Sequence, residues 1–270
     1  MLGKLMKLEY KSSHRLMFLV WGVLLIASVF LNGIERLIIY SDNDAGYGFL
    51  RILEGLSATI YVAVLVALIV TTILIVVMRF YKGLLGDEGY LVNTLPVTKR
   101  QIIFSKGIMA TAIIAVSVVV ATISFMIVSS AVNHDMPSDM IKAYKTMISE
   151  EPRMLLFIIE IFVLVVIGVL LDIYKIYASI AIGQISDRHR VISSFGAYLG
   201  INTAMYLLIT VFITLFADDI AFSFTITNEN MSNWGYLQLG MLIALIVEVA
   251  FIAIFHIITE QLLTKKLNLQ

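Results

Sequence analysis

The sequence has no cysteine, only 3 prolines, and charged side chains at just 14% of its 270 residues. Without cysteine there is no disulfide, no thiolate metal site, no iron–sulfur cluster and no cysteine nucleophile. The charged fraction lies well below the roughly 25% of a soluble domain. Lysine and arginine total 19, as do aspartate and glutamate, so the net charge is zero and nothing argues for a nucleic-acid partner. Catalytic signatures are missing as well. No G-x-x-x-x-G-K-[ST] phosphate loop occurs, so this chain alone is not expected to hydrolyse ATP. There is no G-x-S-x-G elbow and no H-E-x-x-H zinc helix. His14, His134, His189 and His256 form no ligand pair at helical spacing, so no metal site is expected.

What is present is apolar: 60% of the residues. One soluble core of this size could not hide so much apolar side chain. Six stretches reach spanning length, at about 16–34, 57–78, 107–132, 154–185, 193–216 and 236–258. With no water in the bilayer core each must be a helix. The expected fold is therefore an all-α integral membrane protein, a single transmembrane domain over 1–270. The first apolar run is too long for a signal-peptide core and lacks a clear cleavage site, so it reads as a span.

Basic residues set the orientation. Lys4, Lys7, Lys11, Arg15, Arg79, Lys82, Lys99, Arg100, Lys106, Arg188, Arg190, Lys265 and Lys266 fall on one side. Arg36, Arg51, Lys142, Lys145 and Arg153 fall on the other. The richer side is the cytoplasmic one, which puts both termini inside. Residues 1–15 place Lys4, Lys7, Lys11 and Arg15 on one helical face, a pattern open to two readings: an interfacial helix in the headgroup layer, or a plain positive flank.

Ionisable residues within spans are costly, about 2.5–3.5 kcal/mol at mid-bilayer on insertion scales. Glu160, Glu248 and His256 are the candidates for a substrate path, or else carboxyls and a ring bonded between helices. Asp172 and Lys175 share a helical face and are expected to pair, with the lysine snorkelling. Ser179 with Gly183, and Gly196 with Gly200, have the small-x-x-x-small spacing of close helix contacts.

Between spans two and three runs "YKGLLGDEGYLVNTLPVTKRQIIFSK", Tyr81 to Lys106. Asp87 and Glu88 favour a helix start, and Leu84, Leu91 and Leu95 share one face. Pro96 then breaks the chain. Thr98 with Gln101 three residues on is a capping-box pattern, so the third helix is expected to begin near Lys99.

This segment resembles the first cytoplasmic loop of ABC-2 type transporter permeases, through Glu88, Gly89, Leu91, Leu95, Pro96, Val97, Thr98, Lys99 and Lys106. Ile176 to Ile201, "IYASIAIGQISDRHRVISSFGAYLGI", resembles the connection between spans four and five in the Gram-positive branch of that group. The six-span pattern extends the resemblance to the whole chain. One departure is that Tyr90–Leu95 lacks the glutamate many members carry there, so its contact cannot be carried over.

The resemblance implies the membrane subunit of an ATP-driven exporter in the cytoplasmic membrane. It would pair with a second permease, identical or homologous, and with separate ABC ATPase subunits that bind ATP and Mg; this chain would hold no cofactor. Within the loop of residues 79–106, Tyr81–Thr94 would be a coupling helix seated on the ATPase, with Asp87, Glu88, Gly89, Leu91, Leu95, Pro96, Thr98 and Lys99 as the coupling residues. Residues 1–15 would be the interfacial helix, and spans two and five would line the path. An amphipathic or hydrophobic cargo, such as an antimicrobial peptide or drug, follows by analogy. The alternatives are an ATP-independent channel or secondary transporter, and an intramembrane enzyme using Glu160, Glu248 and His256. That last reading requires the three to converge on one cavity.

Overall fold

The computed structural model describes residues 2–40, 44–85, 98–132, 136–150, 153–186, 188–226 and 233–265. These residues form seven helices and no strand: α1 (Leu2–Tyr40), α2 (Asp44–Leu85), α3 (Lys99–Val132), α4 (Met136–Glu150), α5 (Arg153–Gly183), α6 (Arg190–Ile226) and α7 (Asn233–Lys265). Every helix except α4 contains a stretch long and apolar enough to cross a membrane: Ser13–Ile39, Gly48–Leu84, Lys99–Ala131, Arg153–Gly183, Arg190–Val211 and Gln238–Thr264. Their outward faces carry side chains such as Ile26, Phe162 and Leu215, each about 70% exposed. Water would penalise such surfaces, whereas lipid does not. The protein is a multi-pass membrane protein.

The helix boundaries follow local signals. α3 starts at Lys99, as the capping pattern predicts: the Gln101 and Ile102 amides donate to the Thr98 carbonyl at 3.0 and 3.2 Å. The Gln101 amide also lies 3.4 Å from Thr98 Oγ1. No break separates residues 1–15 from the first span, because α1 is continuous from Leu2. α6 continues past the expected end of span five as far as Ile226.

Helix α4 lies in a segment whose sequence reads as a connection outside the membrane. Pro137 suits a first turn, where an amide hydrogen is dispensable. Asp139 complements the helix dipole and pairs with Lys142 at 3.3 Å. Ile141, Tyr144 and Met147 recur at helical spacing and are exposed.

The chain divides into two compact units. One comprises 1–78 with 109–155, the other 79–108 with 156–270. In the first, Met17, Leu24 and Leu31 of α1 meet Tyr61 and Leu68 of α2. The seven-residue spacing on both helices is that of a coiled-coil seam. Polar side chains tie α3 to this seam. Trp21 Nε1 donates to Ser117 Oγ at 3.0 Å, and Ser124 Oγ bonds Tyr61 Oη at 3.0 Å with both residues buried. Asn32 Nδ2 reaches Ser130 Oγ at 3.1 Å while its Oδ1 accepts from Arg36 Nε at 2.9 Å. In a bilayer such bonds hold helices together where hydrophobic burial has no driving force.

Candidate functional site

In the second unit, buried residues gather along Leu171–Gly183 of α5, at the end of α2 and at the start of α3, the two stems of the segment 86–97. Phe80, in the last turns of α2, is fully buried and stacks on Tyr177 of α5, with centroids 4.0 Å apart and planes at 14°. Leu84, Ile102 and Ile103, on the same two stems, are buried as well. Lys106 of α3, only 5% exposed, lays its ammonium over Gly83 and donates to the Arg79 carbonyl at 3.1 Å. A Cβ at Gly83 would stand 2.5 Å from Lys106 Nζ, so glycine makes room for the cation. The lysine thereby ties α3 to the C-terminal turns of α2, where the helix dipole favours positive charge.

Two further cations tie α3 to the end of α7. Lys99 Nζ donates to the Leu263 carbonyl at 2.5 Å, one of the last four carbonyls of α7, which lack intrahelical partners. Arg100 Nε bonds Glu260 Oε2 at 3.0 Å, and His256 Nε2 stands 4.0 Å from the same oxygen. Tyr174 connects these layers. Its ring centroid lies 5.4 Å from that of His256 and 6.0 Å from that of Tyr177. Its hydroxyl would lie 3.1 Å from a Cβ at Gly107, so α5 and α3 approach closely there. Both stems are thus fixed to α5 or α7 by aromatic stacking and cation-to-carbonyl bonds.

Of the expected coupling residues, Asp87, Glu88, Gly89, Leu91, Leu95 and Pro96 lie outside the described residues, while Thr98 caps α3 and Lys99 clamps α7. The four small residues divide. Ser179 is buried, and Gly183 meets Ser194 of α6 so closely that a Cβ would stand 2.6 Å from the Ser194 backbone nitrogen. Gly196 and Gly200 face open space, with nothing within 4 Å of a built Cβ.

Lys175 and Asp172 pair at 2.5 Å as expected. The lysine does not snorkel, however. Its side chain is 11% exposed and also donates to Asn202 Oδ1 of α6 at 3.2 Å. A polar partner on the neighbouring helix satisfies the ammonium where it is, so it gains nothing by reaching for the interface.

Glu160, Glu248 and His256 do not converge. Glu160 lines a cleft between α5 and α7. Glu248 Oε1 lies 3.4 Å from the Cβ position of Gly168, eight residues further along α5. His256 is eight residues beyond Glu248 on α7. Each step is about 12 Å of helix, far beyond hydrogen-bond reach. Among the described residues no group of three His, Asp or Glu side chains is placed to hold a metal ion.

The stem residues that sequence reasoning passed over are Phe80, Gly83, Tyr174, Tyr177 and Glu260. Gly83 apart, their only signal was aromatic and polar character near span ends, which many membrane helices share. The chain matches no protein-family model, no characterised protein and no solved structure.

Proposed function

We propose that this chain is the membrane-spanning subunit of an ATP-driven exporter of the ABC-2 type, in the cytoplasmic membrane with both termini inside. The segment Tyr81–Thr94, whose first residues end α2, couples the chain to a separate ATPase subunit that binds ATP and Mg, and a second permease, identical or homologous, completes the complex. Closure of the ATPases pushes the segment, and the push enters the bundle as rigid-body movement of packed helices. The cargo is an amphipathic or hydrophobic molecule.

One observation carries this reading. The stems of the loop are locked, through Lys106 on the Arg79 carbonyl, Phe80 on Tyr177 and Lys99 on the Leu263 carbonyl. A plain connector needs no such anchorage. A segment that transmits force does, because a floppy stem would absorb the displacement.

The test uses the chain purified under mild detergent with whatever ATPase accompanies it, reconstituted in liposomes. Replacing residues 87–95 with a Gly/Ser linker of equal length is expected to abolish ATP-driven transport while leaving the membrane helices folded. An ATPase should accompany the intact chain and be lost from the linker variant. Retention of coupled transport by that variant refutes the proposal, as does ATP-independent flux from the chain alone.

A further inference from the structure

The cleft between α5 and α7 has a volume of about 460 Å³, within the range of sites that take drug-sized ligands. Among the described residues its walls are apolar, with Ile159 and Val163 on α5 and Leu242 and Leu245 on α7, apart from two polar residues, Glu160 and Gln238. One oxygen of the Glu160 carboxyl, Oε2, is buried with no hydrogen-bond partner among the described residues. A buried carboxyl oxygen without a partner is an unmet demand for a donor. The cleft beside it has room for whatever supplies one.

Glu248 provides the contrast within the same pair of helices. Its Oε2 is also buried without a partner among the described residues, but its carboxyl sits against the backbone of α5 at Gly168 and does not line the cleft. Glu160 is the carboxyl that lines this cleft, together with the Gln238 carboxamide.

We propose that this cleft binds a hydrophobic amine: an apolar body held by the leucine, isoleucine and valine walls, with a protonated nitrogen on the Glu160 carboxylate and a polar contact to the Gln238 amide. The charge complement is one to one, since among the described residues no basic side chain lines the cleft. A divalent cation would need more oxygen ligands than one carboxylate and one amide supply. The occupant could come from two sources that share this chemistry, a free hydrophobic amine or an aminophospholipid. The site does not depend on the export reading, because it requires neither an ATPase nor transport.

The experiment measures equilibrium binding of dansylcadaverine, a fluorescent hydrophobic amine, to the purified full chain in nanodiscs. Nanodiscs of phosphatidylcholine are compared with ones in which phosphatidylethanolamine replaces half of it. Saturable binding is expected in phosphatidylcholine. Glu160→Gln should weaken it about tenfold or more, as loss of a charge-assisted hydrogen bond does. Leu242→Trp, which fills the cleft while leaving the carboxyl in place, should abolish it. Glu248→Gln should bind like the wild type, and the N-acetylated, uncharged probe should fail to bind saturably. Weaker probe binding in phosphatidylethanolamine discs, seen in the wild type only, assigns the site to an aminolipid; unchanged binding assigns it to free amines. Equal binding by Glu160→Gln and wild type overturns the proposal, as does equal binding of the acetylated probe or undiminished binding by a folded Leu242→Trp protein.

Discussion

Gly183→Ala tests how closely α5 and α6 approach. At this position a Cβ would overlap Ser194 Oγ and would stand 2.6 Å from the Ser194 nitrogen and 2.7 Å from its Cα. Ordinary carbon contacts begin near 3.5 Å, so the backbones would have to part by roughly 0.8–1 Å. Overpacking of that kind costs about 1–3 kcal/mol. Backbone conformation adds nothing to this cost, since among the described residues no glycine has positive φ. Gly196 and Gly200 share the same sequence motif but meet nothing within 4 Å. Alanine there keeps its helix-propensity advantage of about 1 kcal/mol over glycine. Thermal unfolding in detergent micelles, followed by far-ultraviolet circular dichroism, should therefore separate the two substitutions by about 2–4 kcal/mol, with opposite signs. Adding Ser194→Gly to Gly183→Ala should recover only part of the loss, because the backbone contacts remain. A Gly183→Ala protein as stable as Gly196→Ala would refute the close approach.

Three further outcomes follow from the polar clasps. Lys106→Met removes a charge-assisted hydrogen bond to the Arg79 carbonyl and should lower stability by about 1–3 kcal/mol. Gly83→Ala should cost less than Gly183→Ala, since the new methyl meets only the end of the Lys106 side chain and no backbone; the same melts compare all three. Lys175→Met should destabilise the protein, and a double-mutant cycle with Asn202→Leu should show coupling of about 0.5–3 kcal/mol. Additive effects would mean that the 3.2 Å contact between α5 and α6 holds nothing.

The sequence by itself determined the solvent and, with it, most of the secondary structure. A chain with 60% apolar residues in six spanning runs has to satisfy its backbone internally, and helices do that. Local chemistry was legible too. Thr98 and Gln101 announced the start of α3 because a cap involves only neighbouring residues. The pairing of Asp172 with Lys175 was legible because three residues along a helix bring side chains together. α4 escaped notice because its helical period is masked by high polarity, although Pro137 and Asp139 mark its start.

Only the tertiary structure decided which equivalent-looking residues matter. Gly183 is pressed against Ser194 while Gly196 is open, and no spacing rule distinguishes them. Glu160 lines the cleft between α5 and α7 while Glu248 lies against Gly168, because each meets a different stretch of its neighbour. Phe80, Tyr177 and Lys106 are ordinary span-end residues until α2, α3 and α5 bring them together. The physical reason is that lipid accepts almost any apolar helix face. Within a membrane the pattern of hydrophobicity specifies that a helix spans, but which face meets which neighbour depends on shape, small residues and hydrogen bonds between positions far apart in the chain.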